Sequence, residues 1–124
     1  MSLIEKTMKM KNWAVVGATT KKNKFGYKIV KKLKKNDYNV FPVNPKVEEV
    51  AGLKCYDDLS SINSQIEVVD LVVNPKIGIK VMQEIKNLGI KYVWLQPGTR
   101  SQEIRDFAAE NKIELIEDCI YASL

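Results

Sequence analysis

The stretch from Asn12 to Lys35, NWAVVGATTKKNKFGYKIVKKLKK, constrains the fold more than any other part of the chain. Trp13, Ala14, Val15 and Val16 form an apolar run too short for a helix, of the kind that suits a strand buried on both faces of a parallel sheet. Gly17 stops the run, and nine residues of mostly small, polar and basic character follow, Ala18 to Gly26. Beyond Gly26 the period becomes helical. Ile29, Val30 and Leu33 share one face, while Lys28, Lys31, Lys32, Lys34 and Lys35 point away. Strand, Gly-containing loop and helix, in that order, set backbone N–H groups and a helix N-terminus against phosphate.

With 124 residues the chain is expected to be one domain, 1–124, whose first 11 residues are a helical or frayed lead-in. No apolar run approaches the roughly 18 residues of a membrane helix, and MSLIEKTMKMK lacks the pattern of a signal peptide. A cytoplasmic location is expected by default. The chain has no histidine and only two cysteines, Cys55 and Cys119, too few for a zinc site, so no metal is expected. In the cytoplasm both cysteines are reduced thiols. The net charge of +5 is concentrated in one place, with eight lysines and no acid between Lys21 and Lys35. Lysines on the outer helix face (Lys31, Lys32 and Lys35) serve solubility, whereas Lys21, Lys22 and Lys24 lie in the loop and favour an anion.

Four further strands follow. Tyr38–Val43 and Val68–Val73 are the second and third, Tyr92–Leu95 and Ile113–Ile116 the fourth and fifth. Val47–Tyr56 reads as irregular, and Asp57–Ile62 as one helical turn capped by an Asp. Asn74-Pro75 is a helix start, with Asn as N-cap and Pro at the first helical position. Ile77, Val81, Ile85 and Leu88 are the apolar face of that helix, and Gly89 closes it. Thr99–Gln102 reads as a capping box before a helix with Ile104, Phe107 and Ala108 inward. Strands alternating with helices give the fold class α/β: a Rossmann-like three-layer fold with a five-stranded parallel sheet and helices on both faces. Right-handed crossovers favour the order 3-2-1-4-5, counting strands along the chain. Ligands of such a sheet bind at the carboxyl ends of the strands, near the switch point between strands 1 and 4. That rim carries Gly17-Ala18-Thr19, Asn44-Pro45-Lys46, Asn74-Pro75, Gln96-Pro97-Gly98 and Glu117-Asp118-Cys119.

The dinucleotide fingerprint G-x-G-x-x-G is absent, because Gly17 stands alone with Thr19 in the second position. Strand 2 ends in Val43-Asn44-Pro45-Lys46, with a base where NAD wants an acid. A lysine there fits a phosphorylated ribose, hence NADP or coenzyme A. The segments VVGATTKKNKFGYKIVKKL, YNVFPVNPK, GLKCYDDL, VDLVVNP, KYVWLQPG and EDC, in that order, resemble the small single-domain CoA-binding proteins, whose fold also forms the CoA-binding domain of succinyl-CoA synthetase. The resemblance implies bound coenzyme A, with Gly17, Ala18, Thr19, Thr20, Lys24, Phe25 and Gly26 around the pyrophosphate loop. It implies Asn44, Pro45 and Lys46 by the adenosine 3′-phosphate, and Val73, Asn74 and Pro75 beside the nucleotide. Gln96, Pro97 and Gly98 would line the pantetheine path, with Cys119 at the end of the last strand. The chain departs from the family where Thr20 and Phe25 replace prolines and where Val73 and Asp118 replace arginines. Lys21, Lys22 and Lys24 are the cations that compensate.

No histidine is present to act as general base, and the adjacent Glu117 and Asp118 point to opposite sides of an extended segment. Cys119 reads first as a small buried hydrophobe, and second as a thiol able to meet the thiol of CoA in a mixed disulfide. The expected function is therefore non-catalytic binding of CoA or an acyl-CoA, with a second copy or an unidentified protein as partner and no membrane. Two rivals are an NAD(P)-binding oxidoreductase-like domain and a basic nucleic-acid-binding protein; the latter has no recognised motif behind its lysines.

Overall fold

The computed structural model describes all 124 residues, Met1–Leu124. Five parallel strands make the main sheet: β1 (Asn12–Val16), β2 (Asn39–Val43), β5 (Val68–Leu71), β6 (Tyr92–Leu95) and β7 (Glu114–Ile116). Helices α1 (Leu3–Met8), α2 (Phe25–Lys35) and α5 (Ile120–Ser123) belong to one face, and α3 (Pro75–Asn87) and α4 (Gln102–Glu110) to the other. Two apolar clusters follow from this layering. Trp13, Val15, Ile29, Leu33, Val68 and Trp94 fill the first, and Ala14, Val69, Leu71, Met82, Ile85 and Ile104 the second. Neighbouring strand residues alternate between the clusters, as the pleat demands of a sheet buried on both sides. The expected α/β three-layer architecture is present.

The strand order is not 3-2-1-4-5. It is β2-β1-β5-β6-β7, or 2-1-3-4-5 over the five main strands. Pro42 gives the physical reason. It pairs in register with Val15 but has no N–H to donate, so its strand belongs at an edge. With β2 at the edge, β5 takes the other side of β1, in register from Trp13↔Val68 to Val16↔Leu71. The switch point therefore lies between β1 and β5, and not between strands 1 and 4.

Between β2 and β5 the segment read as irregular holds a two-stranded hairpin, β3 (Glu49–Val50) and β4 (Leu53–Lys54). Its turn residues Ala51 and Gly52 have φ of 52° and 81°, the backbone of a tight hairpin turn. The capped turn that follows is a 3₁₀ turn, Leu59–Ser61, with Asp58 accepting from Ser61 N at 2.9 Å. In α3 the buried face is Gly78, Met82 and Ile85; Ile77 and Leu88 are 47% and 46% exposed. The lead-in is an ordered helix with Ser2 and Glu5 as its capping box. Thr7, fully buried, accepts the indole N–H of Trp94 at 3.0 Å and ties α1 to the sheet. No helix is long and apolar enough to cross a membrane.

Candidate functional site

All five main strands run parallel, so the five segments after them lie at one end of the sheet. Gly17 makes the first turn there with φ 97°. A Cβ on it would lie 2.2 Å from the carbonyl oxygen of Val72, so only glycine lets β1 end this close to β5. A Cβ on Gly26 would in turn lie 2.2 Å from the carbonyl oxygen of Gly17. The two glycines press the start of α2 onto the end of β1. Asn44 braces the same corner: its Nδ2 donates to Ala18 O at 2.8 Å, and its Oδ1 accepts from Lys46 N at 2.9 Å.

Beside this corner a cleft of about 420 Å³ opens across the ends of β2, β1 and β5. Gly17, Asn44, Pro45 and Lys46 form one wall, and Val73, Ile77 and Val81 the other. Ile77, which had the spacing of a core face, is cleft surface, and Val81 packs against the core with one side and lines the cleft with the other. Lys46 is exposed, and its ammonium makes no hydrogen bond or ion pair. Three acids also line the cleft. Glu84 accepts from Leu59 N and Ser60 N, and Asp58 from Ser61, which leaves Asp57 as the carboxylate without a partner. Asp57 was not singled out from the sequence, because its place next to Asn44 arises through an isolated bridge between Val43 and Tyr56.

The start of α2 has unusual chemistry. Helices α1, α3 and α4 each begin with a side chain that accepts a backbone N–H, namely Ser2, Asn74 and Ser101. Helix α2 has Lys24 as its N-cap, with no side-chain cap and no acid in its first turn; the single-turn α5 is also uncapped, but α2 is the long helix left so. The positive end of the helix dipole is thus left open among Lys21, Lys22 and Lys24. An anion is what such an end lacks.

Residues 11–124 match the family model described as CoA binding domain. The chain belongs to this family. It is 33% identical over 106 residues to the ADP-forming acetate–CoA ligase of Methanocaldococcus jannaschii, a match that covers 86% of this chain and 15% of the ligase. The chain thus spans about one-seventh of that relative. Two small solved structures have the same fold over most of their length. A conserved hypothetical protein from Pyrococcus furiosus has TM-score 0.88 at 36% identity, covering 93% of this chain and 100% of its own. A hypothetical protein from Pyrococcus horikoshii has TM-score 0.90 at 36% identity, covering 96% and 84%.

Within this CoA-binding fold the residues singled out from the sequence divide by what their side chains do. Thr20 and Lys24 are open to solvent at the loop, and Thr19 is half-buried, its Oγ1 accepting from Lys21 N at 3.3 Å. Ala18 is fully buried and offers the loop only its backbone. Phe25 is 52% exposed and stands edge-on to Tyr121, 5.9 Å between ring centroids. Asn74 caps α3 through Ile77 N at 3.0 Å, with Pro75 behind it. Pro97 and Gly98 are exposed at their turn, Gly98 with φ 95°. Cys119 is half-buried at the start of α5, where its N–H binds Asp118 Oδ1 at 2.8 Å; the buried cysteine is Cys55. Glu117 does not face the rim alone, since Arg105 holds it at 2.7 Å and draws its carboxyl below the usual range.

Two groups behave unlike their sequence reading. Thr99 belongs to no capping box, as α4 is capped by Ser101. The Thr99 hydroxyl instead accepts from Val73 N and shares its one proton between the carbonyls of Leu71 and Val73, stapling the end of β5 to the turn after β6. Gln96 is 2% exposed, and its Nε2 donates to Asp70 Oδ1 at 2.5 Å. Burial pushes the carboxyl of Asp70 up to about 8, with the Gln96 bond opposing.

Proposed function

We propose that this chain binds coenzyme A or an acyl-CoA at the carboxyl ends of β2, β1 and β5 and performs no chemistry of its own. The observation that carries the reading is the start of α2. Lysine is a poor residue for a helix N-cap, since it adds positive charge to a positive dipole end and offers no acceptor. A pyrophosphate there would meet free backbone N–H groups and three loop lysines together. The cleft supplies the rest of the reading, with Ile77 and Val81 as an apolar wall for a base and Lys46 free for a ribose phosphate. Family membership supports the same ligand.

In the relative from M. jannaschii the matched stretch is a small part of a ligase. We take the present chain to hold CoA for chemistry carried out elsewhere, as a carrier, sensor or partner-dependent subunit in the cytoplasm. The test is a thermal-shift and calorimetric titration with CoA, acetyl-CoA, dephospho-CoA, NADP and NAD, since a ligand of the native state raises the melting temperature by mass action. Stabilisation by CoA that weakens on loss of the 3′-phosphate is expected. Stabilisation by NADP and not CoA would overturn the reading.

A further inference from the structure

Asp70 and Gln96 stand apart from every other polar pair in the molecule. Asp70 is fully buried in mid-sheet, with Val15 of β1 and Trp94 of β6 in register on either side. It shares its face of β5 with Val68, so it points toward the layer of α1, α2 and α5. The titratable groups carried by those helices and their ends are Glu5, Lys6 and Lys9, then Lys24, Tyr27, Lys28, Lys31, Lys32, Lys34 and Lys35, and Cys119 and Tyr121. None of them hydrogen-bonds to Asp70. The carboxyl has a single partner, the Gln96 amide, through Oδ1.

One acceptor is left over on each group. Asp70 Oδ2 and Gln96 Oε1 are the buried side-chain polar atoms without a hydrogen-bond partner. A buried orphan of this kind is costly, because it has given up water and gained no partner. With an ionised carboxylate both atoms are acceptors and neither can satisfy the other. A single proton changes that. A carboxylic acid and a primary amide are each planar, with one donor and one acceptor on adjacent atoms, and pair edge to edge through two hydrogen bonds. The same burial that leaves the orphans holds the carboxyl up to about 8.

We propose that Asp70 is held as the neutral acid, with Oδ2–H donating to Gln96 Oε1, and that this acid–amide ring is the positioning device for the Gln96-Pro97-Gly98 turn. Gln96 is the residue where β6 becomes rim, and its backbone N–H also binds Leu71 O at 3.2 Å. Asp70 therefore acts on the ligand only through Gln96, an inference that rests on the CoA reading of the rim. Ionisation of Asp70 removes the donor, sets a charge against an amide oxygen and releases the turn.

Asp70→Asn is the decisive variant, because a primary amide reproduces the donor and acceptor edge of the neutral acid and cannot ionise. The sign follows from a folded pKa above the unfolded one. The native state keeps its proton while the unfolded chain loses it, so native stability falls as pH rises from the ordinary carboxylate range to about 8 and is level beyond. The melting-temperature difference, D70N minus wild type, should grow over that window and then stay constant. An infrared difference spectrum between the two should contain the carbonyl band of a protonated carboxyl. The wild-type affinity for CoA should fall several-fold against that of D70N between about pH 7 and about pH 9. Should D70N not fold, carbon-13 titration of the Asp carboxyls in the wild-type chain reads the same proton. A flat stability difference, or no carboxyl titrating above the ordinary range, overturns the inference even if CoA binds. A protonated Asp70 in a chain that binds no CoA upholds the ring and overturns the ligand reading instead.

Discussion

Lys46 and Asp57 face one cleft with opposite charges, and neither side chain has a partner in the protein. A phosphate on the ribose would gain from the first and be repelled by the second. Lys46→Ala should weaken CoA about tenfold, the worth of one charge-assisted bond, and leave dephospho-CoA nearly unchanged. Asp57→Asn should act the other way, tightening CoA by a smaller factor, and calorimetry with both ligands on both variants reads the pair. Thr99 makes a different kind of prediction, because its hydroxyl serves three backbone groups at once. Thr99→Val keeps the shape but strands the N–H and C=O of Val73, while Leu71 O keeps the Gln96 N–H, so a loss of about 1–3 kcal/mol in urea unfolding is expected.

At the scale of elements, the start of α2 is the place where local preference and fold disagree, and such disagreements mark sites. Lys24→Asp would give α2 the acceptor and negative charge it lacks. It should raise stability by about 1 kcal/mol in denaturant unfolding while weakening CoA. A variant that gains stability and keeps full affinity would remove α2 from the site. Gly26→Ala should cost about 1–3 kcal/mol, because its Cβ meets the backbone oxygen of Gly17 and not a flexible side chain. The α2 unit was legible from the sequence because one short stretch contains strand, turn and helix. Other elements were less so, each for a physical reason. Pro42 marks β2 as an edge, but only once the competing orders are compared at that residue. In α3 the apolar Ile77 and Val81 line a cleft, and the helical period alone cannot separate such a wall from a core face. Ala51 takes a positive φ in a turn where sequence signals favour Asn or Asp. The Asp70–Gln96 pair joins residues 26 apart, and no local pattern announces it.

The molecule as a whole is polarised. Its net charge is +5, and without the eight lysines of residues 21–35 it would be −3. None of those eight is in an ion pair, the one salt bridge being Arg105–Glu117 at the far end of the sheet from β2. Lys34 donates to Ala51 O and Lys32 to Tyr121 O, so two of them also fasten α2 to its neighbours. Lys31 and Lys35 are uncommitted and, with Lys28 set over the Phe25 ring at 5.5 Å, line a second cleft of about 500 Å³ beside Tyr121, which shares no residue with the cleft at Gly17. Their field still reaches the loop at α2's start, since an 11-residue helix is only about 16 Å long. A focused positive field of this kind changes how fast an anion arrives more than how long it stays. The expectation is that the association rate for CoA drops steeply with added salt, while the dissociation rate scarcely moves. Lys31→Gln with Lys35→Gln should lower the association rate at low ionic strength and lose that effect once the Debye length shrinks below the distance to the loop. Stopped-flow binding across a salt series separates the two constants. If the double variant changes the dissociation rate instead, these outer lysines touch the ligand, and the site extends along α2 well beyond its first turn.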